Sequence, residues 1–293
     1  LANNTREIKR RINSVSSTSQ ITKALQMVSA SKMNKAQEHA KGIETYAQGL
    51  YDIVGLMGNI DDYESIYTKK IDETKNIVLL IIGPDRGFVG SLVSAQTILI
   101  NDFVDNYRLK HSGVSIKSIT KHRVAKRISD VLNFDNLYHF EEYQDNPTPS
   151  DLSSLNTVLL DGFKKGKFDE IYVSYNHFVN TIIQKPIIKK LLPIEFEKAE
   201  ESKNVTTDMT FEPTKSEVLD TLLPEYFQTQ VLDAIVESIA SEHSARMVAM
   251  QNATDNANEL RNELELSFNR SRQAKVTSEI LDIVGGSRII NQN

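Results

Sequence analysis

Gly83-Pro84-Asp85-Arg86-Gly87, with Gly90 and Ser91 close behind, follows the apolar run Ile77 to Ile82 and precedes a segment of helical character. An apolar strand, a glycine-bearing turn and a helix start is how many phosphate-binding loops begin, because backbone N–H groups there face an anion. The details fit poorly. A dinucleotide fingerprint needs G-x-G-x-x-G and a P-loop ends in G-K-[ST]. The glycines at 83, 87 and 90 match neither spacing, no lysine follows, and Asp85 would repel a pyrophosphate. The stretch reads first as a strand-to-helix turn that needs positive φ at Gly87, with a small-molecule site as the competing reading.

Other residue types that could do chemistry are dispersed. His39, His111, His122, His139, His177 and His243 form no H-x-x-x-H pair, so no metal site is expected. His139 and His177 read as strand residues with a local hydrogen bond rather than as general bases. Ser91 follows a glycine without a G-x-S-x-G elbow. Glu141-Glu142 and Glu200-Glu201 read as solvated surface. The chain has no cysteine, which excludes disulfides, cysteine zinc sites and thiol catalysis. No catalytic residue, cofactor or metal follows from the residues.

The elements that would position any site are marked by glycine and proline. Neither occurs from Leu1 to Lys41, nor from Glu225 to Val284. Two uninterrupted ends around a punctuated middle predict long helices flanking an α/β domain. Asn4 with Glu7, and Thr214 with Glu217, have capping-box spacing. Ile8, Ile12 and Val15 begin a heptad seam that passes through Ser19, Thr22, Gln26 and Ser29. It becomes apolar again at Met33, Ala36, Ala40, Ile43, Ala47, Leu50, Val54 and Met57. Where the seam is polar, Ile21, Ala24, Leu25 and Val28 make an apolar stripe on a rotated face, which implies a second contact there. Pro224 is expected to divide a short helix from a long one, and Gly285-Gly286 to stop the latter. A helix of the length of 225–284 would span on the order of 90 Å and is not stable alone, so the other terminus is its expected antiparallel partner.

In the middle, strands are expected at Ile77 to Ile82, Val114 to Thr120, Leu137 to Tyr143 and Glu170 to Tyr175, with extended chain from Thr181 to Phe196. Helices are expected at Ser91 to Leu109, Arg123 to Leu132 and Asp151 to Lys165. This alternation predicts a mostly parallel sheet with helices on its faces. The expected domains are an N-terminal helix over 1–58, an α/β domain over 75–196 and a C-terminal helix over 210–286. The net charge of −5 argues against a nucleic-acid protein. No apolar run approaches the ~20 residues of a membrane helix, and Leu1 to Arg11 carries no signal-peptide core. A soluble chain is expected.

"REIKRRINSVSSTSQITKALQMVSASKMNKAQ" (Arg6 to Gln37) and "ARMVAMQNATDNANELRNELELSFNRSRQAKVTSEILDIVGG" (Ala245 to Gly286) closely resemble the γ-subunit family of F-type ATP synthases, bacterial type. Asp85-Arg86-Gly87, "FDEIYVSYNHFVNTI" (Phe168 to Ile182) and Leu191 to Pro193 are similar to it as well, so the resemblance covers essentially the whole chain. Phe88-Val89-Gly90-Ser91 departs from the family pattern, which usually has Leu, a small residue and two glycines. The resemblance implies a central-stalk rotor. The terminal helices form an antiparallel coiled coil inside a hexamer of α and β subunits, one copy per hexamer. A Rossmann-like α/β middle serves as the foot, against the ε subunit and the membrane c ring. Rotation couples proton flow to ATP synthesis or hydrolysis in the β subunits. It further implies no nucleotide on this chain, no cofactor and no catalytic site. The implied location is peripheral, on the cytoplasmic face of the bacterial cell membrane.

Residue roles follow from the same resemblance. Arg272, Gln273 and Thr277 match positions that engage a loop of a β subunit. A guanidinium can grip a carboxylate with two parallel bonds, while the amide and hydroxyl add bonds that are easily remade. Val276, Ile280, Ile283 and Val284 are apolar beyond what helix pairing requires and are expected to form a pivot in an apolar collar. Phe211 and Glu212 match the foot segment that approaches the c ring and ε, and Lys32 and Met33 are expected near it. The competing readings are a small-molecule α/β enzyme and a free-standing coiled-coil adaptor.

Overall fold

The computed structural model describes residues 2–56, 65–68, 74–111, 113–195, 212 and 214–290. In chain order the elements are α1 (Ala2–Leu56), β1 (Asn76–Ile82), α2 (Leu92–Lys110), β2 (Ser115–Lys121) and α3 (Arg123–Val131). There follow β3 (Asp135–Phe140), a short 3-10 turn (Pro149–Leu152), α4 (Ser153–Lys164), β4 (Glu170–Phe178), β5 (Gln184–Leu192) and α5 (Lys215–Ile290). Long terminal helices around an alternating middle are therefore present as expected.

The sheet runs in the order β3-β2-β1-β4-β5. The first four strands are mutually parallel, and β5 returns antiparallel to β4. β1 is central and covered on both faces, which is why its sequence is continuously apolar rather than alternating. Its side chains still sort by parity. Val78, Leu80 and Ile82 pack with Leu155, Leu159 and Phe163 of α4, Ala36 and Ile43 of α1, and Leu223, Phe227 and Val231 of α5. Ile77, Leu79 and Ile81 pack instead with Ile100 and Val104 of α2 and Ala125 and Ile128 of α3.

Four local expectations fail. α1 already runs from Ala2, so Asn4 lies inside the helix and cannot be its cap. Pro224 does not divide α5 but sits within it. Leu219, Leu223, Phe227 and Val231 line up on both sides of it and are fully buried. Their packing outweighs the roughly 3 kcal/mol that an interior proline costs. Gly285-Gly286 does not end α5, which continues to Ile290. Glycine permits a left-handed cap but does not impose one. Finally, positive φ occurs at Phe88 (62°) and Gly90 (58°), not at Gly87. At the start of α5 one half of the expected capping box forms, with the Glu217 N–H donating to the Thr214 hydroxyl at 3.3 Å.

The chain forms two compact units. One combines α1 through Ser29 with α5 from Met247, and the other spans Ala30–Arg246. In the first, Ile8, Ile12, Val15, Ser19, Thr22, Gln26 and Ser29 turn inward without a break in phase. The middle of that seam is held by hydrogen bonds. Ser19 donates to Asn258 at 2.9 Å, the Thr22 and Thr254 hydroxyls meet at 2.7 Å, and the Gln26 amide donates to Gln251. These pairs run in opposite chain directions, so the helices are antiparallel. The apolar residues here face outward: Ile21 is 61% and Val28 53% exposed. In the second unit the seam is apolar, with Met33, Ala36, Ile43, Ala47 and Leu50 buried.

Paired polar groups in a seam set register more than they add stability. Replacing both Thr22 and Thr254 by valine is expected to raise the unfolding free energy by ~1 kcal/mol, because no polar group is left wanting a partner. Thr22→Val alone is expected to lower it. Denaturant melts of the two single variants, the double and the parent give the comparison directly.

Candidate functional site

The residues expected to touch partners fall in two places, the end of α5 and the expected foot, and a third polar cluster lies at the sheet. Arg272, Gln273, Val276, Thr277, Ile280, Ile283 and Val284 all lie on α5 within the first unit, and all are exposed. The inward positions of this stretch are the half-buried Leu264, Phe268, Ser271, Lys275 and Ser278, spaced three and four apart. Arg272, Val276, Gln273 and Ile280 lie off that line. Thr277 donates its hydroxyl to the Gln273 carbonyl at 3.0 Å, and Lys275 pairs with Glu279 at 3.5 Å. Arg272 has no ion-pair partner among the described residues. A contiguous face thus presents the Arg272 guanidinium, an amide, a hydroxyl and several apolar side chains.

The expected foot residues fare differently. Phe211 lies outside the described residues, and Glu212 is exposed. Lys32 is engaged within the chain: its ammonium holds both oxygens of Asp145, at 2.9 and 3.0 Å. Met33 is 7% exposed and offers almost no surface to another chain. Its place in the heptad seam explains this, since the seam is buried in this unit.

The third place is the crevice at the carboxyl ends of β1 and β4. Strand order reverses here, because β1 is followed by β2 on one side and β4 lies on the other. In open α/β sheets such a reversal is where ligands bind. In this protein side chains of α2 and α5 fill it. Gln96 of α2 is fully buried and donates to the Ile82 and Ser174 carbonyls at 3.0 and 3.2 Å. It accepts from Asn176 at 3.1 Å. Ser241 and Ser244 of α5 donate to the Asn176 and Thr181 carbonyls, each at 2.7 Å. The Asp85 and Arg86 N–H groups donate to the two carboxylate oxygens of Glu242, at 3.0 and 3.4 Å. Arg246 closes the arrangement. It bonds Glu242 at 2.5 Å and donates to the Arg86 and Gly87 carbonyls at 3.1 and 3.2 Å.

His243 is buried beside this group. Arg246 donates toward its Nδ1 at 3.4 Å, so Nε2 carries the proton and faces the Tyr143 hydroxyl at 3.0 Å. Tyr143 in turn donates to Asp145 at 3.3 Å. Burial first, then the Arg246 charge, pushes the His243 pKa down to about 4. Both His139 and His177 are strand residues as expected; His139 bonds Thr120 of the neighbouring strand at 2.9 Å, whereas His177 pairs not locally but with Glu237 of α5, at 2.6 Å.

The run Ser241-Glu242-His243-Ser244, with Arg246, is absent from the sites expected from sequence. A signal exists there all the same. From Leu232, Ile235 and Ile239, the same steps of three and four arrive at Glu242 and Arg246, so two ionisable residues occupy seam positions of an otherwise apolar face.

Comparison with known proteins agrees with this architecture. The ATP synthase family model matches residues 4–289. The ATP synthase gamma chain of Roseiflexus sp. (strain RS-1) is 41% identical, over 97% of this chain and 97% of its own length. That of Chloroflexus aurantiacus (strain ATCC 29366 / DSM 635 / J-10-fl) is 39% identical over 96% and 97%. Among solved structures, a chain of the Euglena gracilis mitochondrial ATP synthase (OSCP/F1/c-ring, rotational state 3) superimposes with a TM-score of 0.67 at 17% identity. The match covers 99% of this chain and 95% of that one. A chain of the Tetrahymena thermophila mitochondrial ATP synthase central stalk and c-ring gives 0.56 at 21% identity, covering 80% and 99%. At those identities the structural likeness speaks for the fold, and the sequence relationship for the family: this chain belongs to the ATP synthase family, among its gamma chains.

Proposed function

We propose that this chain is the central-stalk rotor subunit of a rotary ATP synthase. It carries torque between the membrane c ring and the catalytic β subunits, and so couples proton flow to ATP synthesis or hydrolysis. The observation that carries the reading is the pairing of α1 and α5 in the first unit. The seam is turned inward, and the outer surface mixes polar groups with exposed Ile21, Val28, Ile280 and Ile283. A shaft that must turn inside a bearing needs such a surface, because a fully complementary apolar interface would hold it in one orientation.

Its partners in this reading are the α and β subunits, one copy of this chain per hexamer, together with ε and the c ring. Arg272, Gln273 and Thr277 meet a β-subunit loop, with the guanidinium taking a carboxylate. Val276, Ile280, Ile283 and Val284 form the apolar pivot. Phe211 and Glu212 contribute to the foot contact with c ring and ε. The chain carries no catalytic site of its own and needs no cofactor. It lies peripherally on the cytoplasmic face of the bacterial cell membrane, held there by its partners. The enzyme reading is disfavoured because the crevice where an α/β enzyme would bind is filled by Gln96, Ser241 and Glu242.

Co-expression with tagged α and β subunits tests the proposal. One copy of this chain is expected per hexamer, whereas an adaptor would appear as a homodimer through its helices. In the assembled complex, Arg272→Ala with Gln273→Leu is expected to lower coupled ATP hydrolysis without loss of assembly. Unchanged coupling in that double variant removes the β-loop assignment.

A further inference from the structure

We propose that the crevice at the carboxyl ends of β1 and β4 is a binding site for a small oxyanion of the carboxylate class, which the chain fills with its own Glu242. The α/β fold thereby holds α5 as it would hold a ligand. The inference rests on the crevice geometry and not on the rotor reading.

Three observations converge. The first is position: a parallel sheet whose strand order reverses between β1 and β4 opens a crevice at that point, and the loop after β1 turns backbone N–H groups toward it. The second is what those groups meet. The Asp85 and Arg86 N–H groups each take a different oxygen of one carboxylate, which is how a loop of this kind engages an anionic ligand. The third is burial with charge compensation. Glu242 is 2% exposed, and its nearest cation is Arg246, bonded at 2.5 Å and anchored by the Arg86 and Gly87 carbonyls. The same loop therefore supplies two donors to the anion and two acceptors to its counter-ion. Ser241 and Ser244, one residue to the N-terminal side and two to the C-terminal side of Glu242, bond the Asn176 and Thr181 carbonyls across the crevice. Asp85 does not oppose this arrangement, because its side chain turns to Arg86 at 3.4 Å and only its N–H faces the carboxylate.

The test uses the full-length chain. Glu242→Ala removes the γ-carbon and the carboxylate, which together have the size and charge of acetate. The variant is expected to melt roughly 10 °C lower, since it leaves the largely covered Arg246 guanidinium without its carboxylate partner. Acetate is expected to restore the loss in a saturable manner. The parent and Glu242→Gln, whose seats are occupied, should show no such response. A variant that folds only when acetate is present during refolding counts equally in favour. A folded Glu242→Ala whose melting is indifferent to acetate overturns the proposal. Amide hydrogen exchange in Glu242→Gln decides the case in which the alanine variant does not fold at all. Protection at Asp85 and Arg86 is expected to fall at least tenfold while Ile77 to Ile82 stays protected. Unaltered protection at those two amides sinks the idea.

Discussion

Between pH 6.5 and pH 4 the parent protein is expected to lose stability that His122→Asn and His243→Gln retain, by up to about 3 kcal/mol for each substitution. Both imidazoles are buried, and both pKa values are pushed down to about 4, in each case chiefly by burial. His122 bonds the Gly83 carbonyl at 3.0 Å, which opposes the shift only in part, and Lys121 lies close enough to add to it. The sign follows from proton counting. In the unfolded chain each imidazole binds a proton as pH falls through about 6.5; in the folded chain it refuses one until about 4. The unfolded state therefore binds more protons throughout that window, and stability falls with pH. Asp233 works in the opposite direction. Burial, then the neighbouring Glu237 charge, raises its carboxyl to about 6, so the folded chain takes that proton first and gains stability as pH falls through 6. The parent's total slope is thus smaller than the histidines alone would give, and the informative quantity is the difference between variant and parent. His122 sits at φ 69° and ψ 161°, a backbone conformation that strains histidine and asparagine alike, and the asparagine amide can still donate to the Gly83 carbonyl. Urea melts at half-unit pH steps measure the slopes. Parallel curves for parent and variants would place the acid-sensitive groups elsewhere.

What can be read in the sequence divides by range. The heptad of α1, from Ile8 to Leu50, and the β1 run are local periodicities, and periodicity survives folding wherever one face is covered throughout. Even the polar interval at Ser19, Thr22 and Gln26 keeps its phase, because each of these residues finds a polar partner on α5. Pro224 reads wrongly because local propensity cannot see Leu219, Leu223 and Phe227 sinking into one core on either side of it. The surface role of Met33 comes from resemblance alone, while its own heptad position already points inward. The crevice is the least legible part. Glu242 lies 157 residues along the chain from Asp85, and no spacing rule joins them. The glycine spacing after β1 fits no phosphate-binding fingerprint and reads as a plain turn, yet its backbone N–H groups do hold an anion, one that belongs to the same chain.

Gly83→Ala is expected to cost about 2–3 kcal/mol, and Gly87→Ala close to nothing. A methyl group on Gly83 would come within 2.7 Å of the Ala125 backbone nitrogen and 3.0 Å of its Cα. Those are atoms of the first turn of α3, which cannot swing aside as a side-chain tip could. Ala125 is itself fully buried, and α3 is tied to the loop by the Val124 N–H on the Pro84 carbonyl at 3.2 Å and by His122 on Gly83. Relief of the clash requires α3 to move outward. That movement strains those bonds and loosens Ala125 and Ile128 against Ile77, Leu79 and Ile81 of β1. A methyl group on Gly87 would meet none of the described residues within 4 Å, and the residue has no positive φ, so alanine there costs no strain and trims unfolded-chain entropy. The glycine that matters is thus the one at the strand end, where two backbones touch, and not the one in the middle of the turn. Denaturant titration of the two variants side by side tests this. A tolerated Gly83→Ala beside a damaging Gly87→Ala would mean that conformational freedom in the turn, rather than the close approach of α3, fixes the loop.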